Sequence, residues 1–350
     1  MSENIRSSEL PQAGGPWPAQ ELRKSGDPSQ PGEPLQSAEP RQSGQSAEQS
    51  HYEATGQPSE SREPATFFRP LITSRRNPVV GRFRALHESR GRRDQGRVLL
   101  EGTHLIEEAA RLGLAAGELL ATPAWIEAHQ ALLHQHPSMA AVLQPVDEAV
   151  LAAAATTQHP DGVVLSLALP RPAAPARPGF VLALEQLQDP GNLGTLMRTA
   201  LAAGVEALWL AGGADPWQPK VVRASAGAAL TLPLERLEGL ALRLQQARAQ
   251  GAQVVATTVM ARSAPTASEA SASGANTAAI PYWQLDWTLP TVLLLGNEGA
   301  GLSAELLSCC SHRVTIPHSA AVESLNVAVA AGPLLLERWR QQQERMPVTP

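Results

Sequence analysis

The sequence predicts an α/β protein whose larger part is a mostly parallel sheet covered by helices on both faces. Three observations carry this. From residue 180 to residue 342, short apolar runs alternate with stretches of helical periodicity. Three loops carrying Gly, Pro or Asn follow predicted strands. A Pro- and Ala-rich segment, residues 170–178, reads as a linker and sets this part off from a smaller α/β domain over residues 67–169.

In the smaller domain, residues 98–102 read as a strand and turn. Residues 103–112 carry Leu105, Ile106, Ala109, Ala110 and Leu112 at helical spacing. Residues 119–122 predict a strand, 124–136 a helix and 163–169 a last strand, entered through the turn-prone Pro160-Asp161-Gly162. In the larger domain, residues 179–345, strands are predicted at 180–184, 207–210, 253–258, 291–295 and 313–316. Helices are predicted at 194–203, 221–229, 237–250, 303–307 and 325–342. Residues 262–281, rich in Ser, Ala and Thr, read as a flexible insertion.

The formal charge of −5 over 350 residues is unevenly placed. Residues 1–66 carry all of it, with 10 acids and 5 bases, and they lack Val and Phe. Such a segment cannot bury enough apolar surface to offset its chain entropy, so a disordered tail is expected. Residues 67–350 sum to zero but are polarised. Nine arginines between Arg69 and Arg97 face only Glu88 and Asp94. Guanidinium groups donate in a planar fork that matches phosphate oxygens, so Arg75, Arg76, Arg82, Arg84, Arg92 and Arg93 are candidate RNA contacts. A solvated basic helix face is the plainer alternative.

Only two cysteines occur, the adjacent Cys309 and Cys310, which excludes a disulfide framework and a thiol metal set. No apolar run approaches the length of a membrane span. A cytoplasmic protein without metal is expected.

The chemistry is placed by the three loops, since ligands in open α/β sheets sit outside the carboxyl ends of strands. The first is Gln188-Asp189-Pro190-Gly191-Asn192-Leu193-Gly194, with Asn192 near a helix start and Arg198 one turn on. The second is Gly296-Asn297-Glu298-Gly299-Ala300-Gly301-Leu302, whose glycines allow close backbone approach. It has neither the P-loop lysine nor GxGxxG spacing, which argues against a triphosphate site and a dinucleotide-dependent dehydrogenase. The third runs from Ile316 to Asn326 and puts Ser324 and Asn326 at a helix start, where capping alone would also favour them.

Together, DPGNLGTLMRTA (189–200), LLLGNEGAGLS (293–303) and IPHSAAVESLNVAVAA (316–331) resemble the three motifs of the SpoU (TrmH) family of RNA 2′-O-ribose methyltransferases, of the SPOUT class. KVVRASAGA (220–228) is similar to the family's segment after its second strand. ITSRRNPVVGRFRAL with VLLEGTHLIEEA resembles its ribosomal-protein-like substrate-binding domain. The resemblance implies a C-terminal trefoil knot, which chain physics alone disfavours. It implies S-adenosylmethionine held by Leu295, Gly296, Asn297, Gly301, Ile316 and Leu325. It implies catalytic roles for Asn192, Arg198, Glu298, Ser324 and Asn326, a homodimer, and an RNA substrate, ribosomal RNA before tRNA. Arg198 could act as the base for the 2′-hydroxyl or as a cation stabilising the developing alkoxide. His318, Ala320 and Ala321 depart from the family pattern, as does Pro333 inside the last helix. A catalytically inactive RNA-binding protein of the same fold is the alternative.

Overall fold

The computed structural model describes residues 69–258 and 278–345. The expected tail at 1–66 lies outside the described residues, as does most of the expected insertion.

The N-terminal part runs α1 (Pro78–Ala85), α2 (Ser89–Gln95), β1 (Arg97–Glu101), α3 (Thr103–Arg111), β2 (Ala116–Ala121), α4 (Pro123–Ala128), α5 (Gln130–Gln135), α6 (Pro137–Ala141), β3 (Leu143–Pro145), α7 (Glu148–Ala154) and β4 (Val163–Ala168). Its four-stranded sheet has the order β1-β4-β2-β3, with β4 antiparallel to both neighbours and β3 parallel to β2. The basic stretch folds into α1 and α2, which the charge density hides. Val79, Val80 and Phe83 give α1 a buried side, against Val150, Leu151 and Ala154 of α7. The single helix expected over 124–136 is broken at His129, whose ring nitrogen Nδ1 lies 2.8 Å from the Trp125 carbonyl.

The C-terminal part runs β5 (Phe180–Glu185), α8 (Pro190–Ala202), β6 (Ala207–Ala211), α9 (Pro219–Ala224), α10 (Ala228–Thr231), β7 (Leu234–Arg236), α11 (Leu240–Ala249), β8 (Gln253–Thr257), β9 (Ile280–Pro281), β10 (Thr291–Leu295), α12 (Ala304–Cys309), β11 (His312–Thr315) and α13 (Val327–Arg345). The seven-stranded sheet has the order β7-β6-β5-β10-β8-β11-β9, and every pairing is parallel. Its central strands are apolar on both faces, as a sheet covered twice requires. Ile280 and Pro281, inside the expected insertion, instead pair with Val314 and Thr315 as an edge strand.

Several helices start by one device. A side-chain acceptor caps the first turn and Pro fills N1, where its missing N–H costs nothing. Asn77 with Pro78, Thr122 with Pro123 and Asp189 with Pro190 all do this. In α8 the cap is Asp189, which accepts from Asn192 N–H at 2.7 Å. The helix therefore begins earlier than the Asn192 reading expects, and Arg198 sits two turns in. The helix expected over 221–229 is split into α9 and α10, because Ala226 (φ 47°) and Gly227 (φ 91°) adopt left-handed backbone. Pro333 does not end α13, which continues as helix to Arg345.

The two parts share packing despite the irregular segment between them. Val222 and Leu230 of the C-terminal part are buried in the core formed by β1, α3, β2 and β4. Two ion pairs flank that seam. Arg223 donates to Glu101 at 2.8 Å, and the buried Glu101 carboxylate also accepts from the backbone and hydroxyls of Thr156 and Thr157. Arg92 donates to Asp215 at 2.5 Å and to the carbonyls of Leu86 and His87 at 2.8 Å each.

Candidate active site at the carboxyl edge of the parallel sheet

The three loops leave β5, β10 and β11 at one edge of the sheet, because parallel strands all end on the same side. Their side chains interlock there. Asn192 Nδ2 donates to Glu298 Oε1 at 3.2 Å, and Asn326 Nδ2 donates to Asn192 Oδ1 at 3.0 Å. Glu298 also accepts from the backbone N–H groups of Gln188 and Asp189, at 3.3 Å each. Asn326 Oδ1 accepts from Ala328 and Val329 N–H at 2.9 and 3.2 Å, so one residue caps α13 and reaches the first loop. Burial pushes the Glu298 carboxyl up. Hydrogen bonds from its own backbone, Asn192, Gln188 and Asp189 outweigh this and hold it below its ordinary value.

The second loop is held by Asn297. Its Oδ1 accepts from Gly299 and Ala300 N–H at 2.9 and 3.0 Å, and its Nδ2 donates to the Gln186 carbonyl at 2.9 Å. This is an Asx turn, which organises backbone locally. Asn297, expected to hold the cofactor, thus engages its amide within the protein. Gly296 has no room for a side chain, since a Cβ would lie 2.3 Å from the Gly301 carbonyl carbon. Gly301 has φ +69°, where glycine alone is unstrained.

A cavity of about 610 Å³ opens between the second and third loops. This is within the range of small-molecule sites. Leu295, Ile316, Leu325 and Leu334 supply apolar wall, and Gly296 and Gly301 supply bare backbone. The hydroxyls of Thr258 and Thr315 are buried at this wall with no hydrogen-bond partner among the described residues. Such orphaned groups call for a polar ligand. A nucleoside with an amino-acid tail has the mix of apolar and polar surface that this lining fits.

The structure brings together Asn192, Glu298 and Asn326, and around the cavity Leu295, Gly296, Asn297, Gly301, Ile316, Ser324 and Leu325. It does not join Arg198 to them. That side chain is exposed and makes no hydrogen bond or ion pair among the described residues. Of the candidate RNA contacts, Arg75, Arg76, Arg84 and Arg93 are exposed, and Arg82 is half-exposed and paired with Glu118. Arg92 is a correction. Only 4% exposed and bound to Asp215, it joins the two parts of the chain from inside. Its place in an arginine run gave no sign of that partner 123 residues away. Sequence reasoning also missed Gln186, whose left-handed backbone (φ 53°) presents its carbonyl to Asn297. No residue pattern marks such a conformation. The structural role of Asp189 was legible, as Asp before Pro is a helix-start signature.

An all-parallel sheet with a cavity at its carboxyl edge, bounded by glycine-containing loops, is the arrangement of α/β proteins that bind a ligand outside the strand ends. The SpoU rRNA Methylase family matches residues 179–336, and the MRM3-like substrate binding domain matches residues 77–165. An uncharacterized tRNA/rRNA methyltransferase of Synechocystis is 42% identical over 276 residues, covering 77% of this chain and 94% of its own. The Bacillus subtilis 23S rRNA (guanosine(2553)-2′-O)-methyltransferase RlmP is 30% identical, over 75% of this chain and 97% of its own. Among solved structures, an AdoMet-bound rRNA methyltransferase from Sinorhizobium meliloti aligns with a TM-score of 0.62 at 31% identity, over 77% of this chain and 97% of that one. The chain belongs to the SpoU rRNA methylase family. No group of three or more metal-ligating side chains forms among the described residues, and no helix there is long and apolar enough to cross a membrane.

Proposed function

We propose that the protein methylates a ribose 2′-hydroxyl in RNA, with S-adenosylmethionine as methyl donor and ribosomal RNA, before tRNA, as substrate. The observation that carries this reading is the Glu298–Asn192–Asn326 chain of hydrogen bonds, which ties the three family motifs into one wall beside the cavity. The 23S rRNA 2′-O-methyltransferase among the relatives supports the same reaction and substrate.

S-adenosylmethionine, when bound, supplies an electrophilic methyl group. Leu295, Gly296, Gly301, Ile316 and Leu325 line the cavity and would hold it, and Asn297 fixes the loop that carries two of them. The protein's main task is alignment, because the attacking oxygen must approach opposite the departing group. Asn192, Glu298 and Asn326 lock the loops in that register. Ser324, exposed on the third loop, offers a hydroxyl to the substrate. Arg198, free of protein partners among the described residues, takes the adjacent phosphate and stabilises charge developing on the 2′-oxygen, or accepts its proton. A guanidinium presents a planar fork of donors that matches phosphate oxygens, which favours the electrostatic role. Arg75, Arg76, Arg82, Arg84 and Arg93 contact RNA backbone from the N-terminal part.

The proposal extends to a trefoil knot and a homodimer. The strand order β5-β10-β8-β11, in which β10 is laid down between earlier strands, supports the knot. The outer face of α13 supports the dimer. Val329, Leu336 and Trp339 are 65%, 48% and 51% exposed there, and an apolar stripe of this kind is covered in most soluble assemblies. Light scattering of the full chain tests it, and an active monomer would sink it. A cytoplasmic location is part of the same proposal, and a ribosomal RNA substrate is compatible with it. Calorimetry with S-adenosylmethionine tests the enzyme reading against an inactive RNA-binding protein, for which no heat of binding is expected.

A further inference from the structure

We infer that the cleft where the two parts of the chain meet is a second RNA-contact site, one that takes a phosphodiester of the substrate strand. The inference rests on the RNA-methyltransferase reading above. The cleft measures about 670 Å³ and draws its wall from both parts. Arg92 and Arg93 come from α2, Arg171 from the connecting segment and Arg236 from β7. Asp215 and Trp217 come from the loop after β6.

The charge is unbalanced. Four guanidinium groups line one cleft with a single carboxylate, Asp215, which lies 2.5 Å from Arg92 and 3.9 Å from Arg236. Arg93 donates to the Ser89 hydroxyl at 2.8 Å, and Arg171 has no polar partner among the described residues. Arg92 is fixed from behind by two backbone carbonyls and pairs with Asp215, so it anchors the wall and leaves Arg93, Arg171 and Arg236 to meet a ligand. Asp215 closely matches only Arg92, so the exposed Arg93, Arg171 and Arg236 leave positive charge facing the cleft. The excess of three positive charges is what a nucleic-acid backbone neutralises. Trp217, packed against the cores of both parts and still partly exposed, sets an aromatic ring beside it. Unstacked bases lie on such rings.

The position fits a single bound strand. Ala214 N–H, in the loop carrying Asp215, donates to the Leu187 carbonyl at 2.7 Å. The next two residues, Gln188 and Asp189, donate to Glu298. The cleft and the methyl-transfer site therefore lie along the same sheet edge, joined by one short stretch of backbone. RNA held in the cleft by its backbone sets which downstream ribose reaches the cavity.

The test is arginine labelling of the full-length protein with phenylglyoxal, read by peptide mass spectrometry. In vitro-transcribed 23S rRNA, at matched phosphate concentration, is compared with inorganic phosphate. Protection of Arg171 and Arg236 by the RNA and not by inorganic phosphate is expected. Equal protection by both marks a free-anion site and overturns the inference, as does no protection by either. The variant Arg171→Gln/Arg236→Gln, changed only at exposed positions, gives a second readout. Its KM for the RNA should rise about tenfold, and its slope of log affinity against log salt should fall by about 1 to 2. S-adenosylmethionine affinity should stay at the wild-type value. Wild-type KM and salt slope in that variant overturn the inference while methyl transfer leaves the enzyme reading standing. Protection without any methyl transfer supports the cleft and removes the enzyme.

Discussion

Asn192 is bonded at both ends of its side-chain amide, donating to Glu298 and accepting from Asn326, so that one short side chain from the first motif links the second and the third. Replacing it by Ala leaves Glu298 with backbone donors alone and Asn326 without its link to the first loop. The expected result for Asn192→Ala is a fall in turnover of at least a hundredfold with a melting temperature within a few degrees of wild type. Turnover assays and calorimetric scans check it.

Gly296→Ala tests the tight loop. The added methyl would meet Gly301 and Leu302 backbone at 2.3 to 2.5 Å, which only a shift of the loop can relieve. S-adenosylmethionine binding should weaken by more than tenfold in calorimetry. Ala at Gly299, where the nearest such contact is 3.6 Å, should bind almost as wild type.

Glu298 predicts an acid dependence. Its pKa is depressed in the folded protein, burial notwithstanding, so its ionised form contributes stability above the ordinary glutamate range. That contribution disappears as pH falls through the lowered folded value. The melting temperature of Glu298→Gln should therefore lie below wild type at pH 7, and the two should converge toward pH 3. A constant gap across that range would assign the effect to shape rather than charge.

Arg223→Ala tests the seam between the two parts. Glu101 keeps its Thr156 and Thr157 donors but loses its cation, so a cost of about 2 kcal/mol is expected. Urea unfolding measures it.

Cys310 is buried beside Cys309, and burial first, then its neighbour, pushes the thiol pKa up to about 11. A thiol reacts as its thiolate, so Cys310 should resist iodoacetamide at pH 8 in the native protein and react once unfolded. Mass spectrometry reads the difference.

Much of this arrangement was legible in the chain. The apolar runs of β5, β6, β8 and β10 have no polar face to confuse their period, and each appears within a residue or two of its predicted place. The motif residues Asn192, Glu298 and Asn326 were identifiable, but their mutual bonding was not, because it joins residues 106 and 134 positions apart that only the sheet brings to one edge. The short elements α1, α2, α7, β3 and β7 escaped, since a period cannot be read from a few residues and arginine density masked the apolar side of α1. Arg92 was misread for a related reason. Charge counts locate basic residues along the chain and say nothing about which are turned inward toward a distant carboxylate.

The measurement that tests the central claim most directly is digestion to nucleosides after incubation with methyl-labelled S-adenosylmethionine and unmodified 23S rRNA. A single 2′-O-methylated nucleoside is predicted with the wild-type protein, and none with Arg198→Ala, which should still bind the methyl donor. Label on a base, no label in any RNA, or full turnover by Arg198→Ala would contradict it.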